Sequence, residues 1–234
     1  MRTLTLVVVL FVITGAACKH GIHTGVRGSG QRVVQKRNVQ PFKSIATEGA
    51  FNIEVVCQKD LSLEIEGDDN IVDLVGTDVS NNVLHLNNIK NYSVGEPVEI
   101  RISVPDIEGL SVSGAGTIDV SGLKNEKFEI DSSGAPQIRV SGSTNVVDID
   151  SNGAAKIDTH NLRAAKGVVD SKGVSNIEVD VRDELDVTIS GPSTVTYQGD
   201  PAINKTIHGP GKLERRASEG AWEFRIANFG FRVS

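Results

Sequence analysis

Acidic side chains recur at nearly constant spacing in the second half of the chain. Asp131, Asp150 and Asp170 follow one another at intervals of 19 and 20 residues. A second series, of mixed charge, consists of Asp119, Arg139, Asp158 and Glu178. Carboxylates in such series can hydrogen-bond to a glycan or a protein, bind a cation, or work in pairs as acid and base. Which role applies depends on the elements that position the side chains.

Both series keep a constant distance from a recurring glycine. This glycine is followed four residues later by an aliphatic residue, as in Gly114 with Ile118 and Gly134 with Ile138. The glycines of this repeat are Gly114, Gly134, Gly153, Gly173, Gly191 and Gly209, with spacings of 20, 19, 20, 18 and 18 residues. A repeat of this length without helical periodicity is typical of a solenoid whose units bury their apolar faces on one another.

Polar and apolar residues alternate around each glycine. Four residues before it the chain has an aliphatic residue in five of six repeats, and the next residue is polar. Successive side chains of a strand point to opposite faces, so the aspartates are predicted to face solvent. Two residues before the glycine, Ser132, Ser151 and Ser171 are predicted to face inward as a polar ladder. The glycine itself is predicted to adopt a positive φ at a tight corner.

A coil of about 20 residues has room for two or three short strands and their turns. Parallel stacking of such coils predicts an all-β parallel β-helix. Gly49 and Gly67 show the same glycine-to-aliphatic offset, which places the first coils there, with room for two more before Gly114 and a protruding loop over 87–95. Stacked aspartates about 4.8 Å apart repel, so they must splay into water or accept a cationic group.

The start of the chain has the pattern of an export signal over residues 1–17: Arg2, a short apolar run and a small-residue cleavage site. Cys18 follows directly, as in the bacterial lipobox, although Gly15 stands where leucine is usual. We therefore expect Cys18 to carry a lipid anchor; the alternative is ordinary cleavage that leaves a free thiol. Residues 18–38, rich in glycine and basic side chains, are predicted to be a flexible linker.

The β-helix domain is predicted to span residues 39–216, with Cys57 as a buried apolar side chain. Residues 217–234 are predicted to cap the last coil, whose open edge and apolar end must be covered. The aromatic residues of that segment are Trp222, Phe224, Phe229 and Phe231. The alternative for them is an aromatic docking surface or an insertion signal.

Charge and motifs narrow the function. A formal net charge of −6 and the lack of a basic stripe in the repeats argue against a nucleic-acid partner. The sequence has no Ser/His/Asp order, HExxH motif or phosphate-binding glycine loop, and no GGxGxDx calcium repeat. We therefore expect no catalytic residue, no metal and no cofactor; calcium held by the aspartate series is the minor alternative.

The lipoprotein-like leader, the Ser-Gly-Ala-Gly stretch over 113–116 and the repeated Ser-Gly units over 114–122 and 134–142 resemble the bacterial family of auto-transporter adhesin, head GIN domain proteins. The resemblance covers about residues 39–216. It implies a right-handed parallel β-helix on the cell envelope, with a role in adhesion. Together with the leader, it places the protein as an outer-membrane-anchored lipoprotein, periplasmic or surface-exposed.

Two functions of different class fit these features. The first is a non-enzymatic envelope module that binds a glycan or another envelope protein through its stacked polar side chains, while its lipid anchor contacts the membrane. The alternative is a polysaccharide lyase or hydrolase. Its candidate residues are Asp148, Asp150 and Asp158, or Asp131 beside Arg139. Each of these residues is equally explained as the solvated face of a strand.

Overall fold

A computed structural model describes residues 25–216, which form a β-solenoid of about five turns. Between these residues the only helical segment is the short 3-10 turn Val72–Leu74, so the predicted all-β solenoid is confirmed. No segment of this described part forms a helix with the length and apolarity that crossing a bilayer demands.

The strands are β1 (Val26–Arg27), β2 (Arg32–Arg37), β3 (Ser44–Gly49), β4 (Asn52–Val56), β5 (Ser62–Asp68), β6 (Val75–Ser80), β7 (Val83–Asn88), β8 (Tyr92–Ser93), β9 (Glu99–Ser103), β10 (Gly109–Gly114), β11 (Thr117–Ser132), β12 (Gln137–Ser151), β13 (Lys156–Ser171), β14 (Asn176–Ser190), β15 (Thr194–Gln198), β16 (Ala202–His208) and β17 (Lys212–Arg215). The four longest, β11 to β14, bend around a corner, so each contributes to more than one side of the solenoid.

Three stacks of parallel segments run along the solenoid. The aspartate stack contains residues 109–114, 128–132, 147–151, 167–171 and 184–190. The mixed-charge stack contains residues 117–121, 137–140, 156–159, 176–179 and 194–197. The corner stack contains residues 123–127, 142–146, 162–166 and 180–182, where the register shifts.

The first coils do not follow chain order, contrary to the sequence prediction. Strand β3 lies between β7 and β10, and β4 lies between β9 and β11, so the coil that comes first in the chain is second in the stack. Gly67 is not part of a coil corner, because it lies in β5, which pairs antiparallel with β2 and β9. The two coils predicted between Gly67 and Gly114 are a single coil made of β7 and β9.

The linker prediction over 18–38 is wrong for the part that the structure describes. Strand β2 pairs antiparallel with β5, where Arg32 and Lys36 lie 3.4 Å from Glu66 and 3.2 Å from Glu64. The basic residues that suggest a solvated tether instead form ion pairs with glutamates of β5. The predicted loop over 87–95 is likewise held by a parallel pair of β8 with β1.

Strands β16 and β17 form the C-terminal end of the solenoid, where Ile203 of β16 is 40% exposed. The export signal over 1–17, Cys18 and the cap over 217–234 lie outside the described residues and stay predictions.

The interior is mainly aliphatic, and serines make up most of its buried polar residues. Ser132, Ser151 and Ser171 are each 0% exposed, as the alternation predicts. The Ser151 and Ser171 hydroxyls lie 2.7 Å from those of Ser175 and Ser193, two buried partners that the sequence analysis does not identify. Each hydroxyl pair satisfies polar groups that the corner removes from water.

A column of glycines follows the corner between the aspartate and mixed-charge stacks. An added Cβ on Gly134, Gly153 or Gly173 would lie 1.9, 2.0 or 1.9 Å from the carbonyl oxygen of the preceding glycine in the column. Five of the six repeat glycines belong to this column, which begins at Gly49. None of the five has a positive φ, so the predicted reason for glycine is wrong there. Close stacking of backbones excludes a side chain. Gly209 alone fits the prediction, with φ +103 and open space around it.

Cys57 is 3% exposed in this interior, and burial raises the pKa of its thiol to about 11. The side chain therefore packs as a small apolar group and is protonated at neutral pH.

Candidate functional site

Asp131, Asp150 and Asp170 are register partners in the aspartate stack. Their repulsion is relieved within the chain, because Lys172 Nζ lies 2.9 Å from an Asp170 oxygen and 3.7 Å from an Asp150 oxygen. The hydrogen bond to Asp170 and the charge of Asp150 raise the pKa of Lys172. Asp131 has no ion pair among residues 25–216. The cationic group beside Asp150 and Asp170 is thus Lys172, two residues after Asp170 on the same turn.

The second series lies in the mixed-charge stack, so the seven candidate binding residues occupy two stacks separated by the glycine column. Asp119, Arg139, Asp158 and Glu178 are consecutive register partners. Arg139 Nη1 donates to Asp119 at 2.9 Å, and Arg216 Nη1 donates to Glu178 at 2.8 Å. His160 Nδ1 contacts Asp158.

The carboxylate groupings required by the enzyme alternative are not assembled. Asp131 belongs to the aspartate stack and Arg139 to the mixed-charge stack, so they are not side by side. Asp148 and Asp150 are separated from Asp158 by the same corner, and Asp148 lies 3.3 Å from Lys127 Nζ. Acid and base carboxylates must flank one substrate bond, whereas Asp158 lies around a corner from Asp148 and Asp150.

The corner stack contains a groove that the sequence analysis misses. We call it the corner groove; its cavity volume is about 840 Å³ and it crosses four coils. One rim is formed by the register partners Lys124, Ser143, Arg163 and Asp180. The opposite rim is formed by Glu126, Asn145, Ala165 and Arg182. Adjacent coils are about 4.8 Å apart, so four coils span about 14 Å.

Short side chains open the corner groove. Thr144 and Ala164, 7% and 4% exposed, form its floor, and Ser143 and Ala165 keep the rims low. The floor is held in place, since Thr144 Oγ1 donates to the Val146 carbonyl at 3.1 Å.

The charges of the corner groove are balanced and largely unpaired. Lys124, Arg163, Glu126 and Asp180 form no ion pair within residues 25–216, although all four line the cavity. Arg182 is held by Asp183 through bonds of 2.7 and 2.8 Å. The groove thus offers two unpaired cations and two unpaired carboxylates, with amide and hydroxyl groups between them. Such a surface can donate to and accept from the same ligand.

The sequence profile of the family described as "Putative auto-transporter adhesin, head GIN domain" matches residues 41–201, which is more than half of the chain. The chain belongs to this family. Its membership confirms the resemblance found in the repeat units.

Solved structures show the same fold as this GIN-domain chain. A "putative adhesin" from Bacteroides fragilis is 24% identical, with a TM-score of 0.67, over 82% of this chain and 100% of its own. "Putative adhesins" from Parabacteroides merdae and Parabacteroides distasonis are 17% and 18% identical, each with a TM-score of 0.50. These two comparisons cover 82% of this chain and 99% and 100% of the other. Among curated proteins, no sequence matches the chain significantly.

The corner groove escapes sequence analysis because its residues fall between the periodic positions of the repeat. The available signal is the run of small residues at Ser143, Thr144, Ala164 and Ala165, roughly midway between glycine corners. Small side chains stacked on adjacent coils leave a trough, which alternation of polar and apolar residues does not reveal.

Proposed function

We propose that this GIN-domain protein is a non-enzymatic, adhesin-like binding module of the cell envelope, and that the corner groove binds a hydroxyl-rich glycan chain. The observation that carries the proposal is the groove itself, with its balanced and unpaired polar side chains across four coils. The family and the solved relatives described as adhesins support an exported role at the cell envelope.

Recognition in this groove depends on planar polar groups. The Arg163 guanidinium presents several N–H donors in a fixed fork, and Asp180, its register partner, presents two acceptor oxygens. Neighbouring hydroxyls of a sugar can engage both at once, one donating and one accepting. A neutral balance of charge favours an uncharged, hydroxylated chain over a polyanion.

Binding at one groove is expected to be weak, because the site is shallow and none of its lining residues in the described chain is aromatic. Many anchored copies on one cell would raise the overall avidity without further contacts. Adhesion can therefore rest on weak binding at each groove when many copies of the protein are present on one cell. The aspartate stack, where Asp131 keeps an unpaired charge, remains a predicted second contact surface.

Arg163→Ala is expected to weaken glycan binding at least about tenfold, because hydrogen bonds to charged groups contribute about 1.5–3 kcal/mol. The measurement is retention of the protein on immobilised envelope polysaccharide, with the supernatant assayed for chain cleavage. Ala165→Leu, which narrows the groove without removing a polar group or adding an aromatic ring, should weaken binding similarly. Lys156→Ala removes an exposed cation outside the groove and serves as the control.

Wild-type retention by both groove variants would contradict the proposal, as would binding to an envelope protein but to no polysaccharide. Release of shortened saccharides by the wild-type protein would favour the lyase or hydrolase alternative.

We further propose that Cys18 carries the lipid that holds the module at the outer membrane, facing the periplasm or the cell surface. Cells fed a labelled fatty acid should incorporate label into the wild-type protein, and Cys18→Ala should abolish the incorporation. Cys57→Ala is the matched control, because Cys57 is buried and its thiol has a raised pKa. Undiminished label in Cys18→Ala would refute the anchor without affecting the groove proposal.

A further inference from the structure

Three potential metal ligands converge in the mixed-charge stack. Asp158 and His160 lie two residues apart on β13, so their side chains share one side of the strand. Glu178 on β14 is the register partner of Asp158. One ligand atom from each of the three lies within 4.8 Å of the other two, and all three side chains are partly buried.

One carboxylate of this group, that of Asp158, is short of positive charge, whereas Glu178 is paired with Arg216. Asp158 and Glu178 face each other on adjacent strands, where like charges are destabilising. Arg139, the register partner of Asp158 on the other side, is turned to Asp119 at 2.9 Å. Asp158 therefore has no ion pair with lysine or arginine among residues 25–216, and its contact is the His160 ring. A divalent cation would relieve this arrangement.

We propose that Asp158, His160 and Glu178 bind a divalent transition metal of the Zn²⁺ class. One imidazole nitrogen and two carboxylate oxygens form a donor set that zinc accepts, with open positions left for water or an outside group. Calcium does not suit the site, since it takes six to eight oxygens and rarely nitrogen. The expectation of no metal rests on contiguous motifs, whereas these ligands come from two coils.

Arg216 competes with the metal for Glu178. Its Nη1 donates to Glu178 Oε2 at 2.8 Å, so the arginine occupies one carboxylate oxygen and its positive charge opposes a cation at the other. Zinc bonds of about 2.0–2.2 Å also require the three side chains to rearrange around the ion, because Asp158 and His160 now contact each other directly. Removing the arginine should therefore favour the metal, which a purely structural role for Glu178 would not predict.

The test is titration of the full chain with Zn²⁺ against a chromophoric zinc indicator, with Co²⁺ absorption reporting the ligand environment. The wild-type protein should bind one metal ion per chain at this site. His160→Ala and Glu178→Gln should each weaken binding at least about tenfold, and Arg216→Ala should tighten it up to about fivefold.

Two controls separate this site from other histidines. His85→Ala changes an exposed imidazole on β7 and should leave binding unchanged. His20→Ala with His23→Ala removes the paired histidines of the N-terminal segment. Equal zinc affinity in the wild type and in folded His160→Ala would overturn the proposal, and so would loss of binding in the His20/His23 variant or weaker binding in Arg216→Ala.

Discussion

Gly153→Ala is expected to lower the free energy of unfolding by about 3 kcal/mol or more. The new Cβ would lie 2.0 Å from the Gly134 carbonyl oxygen, far inside van der Waals contact. That oxygen accepts a hydrogen bond of 2.9 Å from the Ala154 N–H, and this bond joins the two coils. Moving the oxygen aside would therefore cost the free energy of that bond. The substitution must therefore separate coils along the whole corner. Urea unfolding followed by circular dichroism measures the change.

Gly95→Ala is the matched control for this prediction. An added Cβ at Gly95 meets nothing within 4 Å, and this glycine does not have a positive φ. Its unfolding free energy should change by no more than about 1 kcal/mol. Similar stability in Gly153→Ala and Gly95→Ala would mean that the coils are not packed at the glycine column.

The glycine column shows what local sequence patterns can predict in this protein. From Gly114 onward, each coil repeats the same alternation, so spacing alone predicts the stacking and the inward direction of Ser132, Ser151 and Ser171. The pattern does not reveal why glycine is required. A close approach between backbones is a property of two coils, and a single coil shows only a small residue at a bend.

The N-terminal coils could not be predicted in order, because their pairing is non-local. Strand β3 has neighbours in β7 and β10, which lie far along the chain on its C-terminal side. Both arrangements bury the same aliphatic faces, so periodicity does not distinguish them. The candidate site divides in the same way: the aspartates follow the repeat, whereas the corner groove and the Asp158, His160 and Glu178 group depend on contacts between coils.

A chain that begins at residue 39, the predicted domain boundary, is expected to be less stable than one that begins at residue 25. It lacks β2, whose six residues pair with β5, and it loses the Gly30 N–H that donates to buried Asp68 at 3.1 Å. Loss of a strand and of that hydrogen bond should cost about 3 kcal/mol. In a domain of this size the midpoint of thermal unfolding should fall by about 10 °C.

Self-association is the second expected consequence of removing β2. Strand β5 then becomes an open edge, and unpaired edges recruit strands from other chains. Light scattering during size-exclusion chromatography should show oligomers for the chain that begins at residue 39 and monomers for the one that begins at residue 25. Two monomers with the same unfolding temperature would restore the prediction of a linker. The antiparallel pair between β2 and β5 would then add nothing, although it carries the ion pairs of Arg32 and Lys36. Because exposed ion pairs contribute little on their own, we expect the backbone ladder and the covered edge to account for most of the difference.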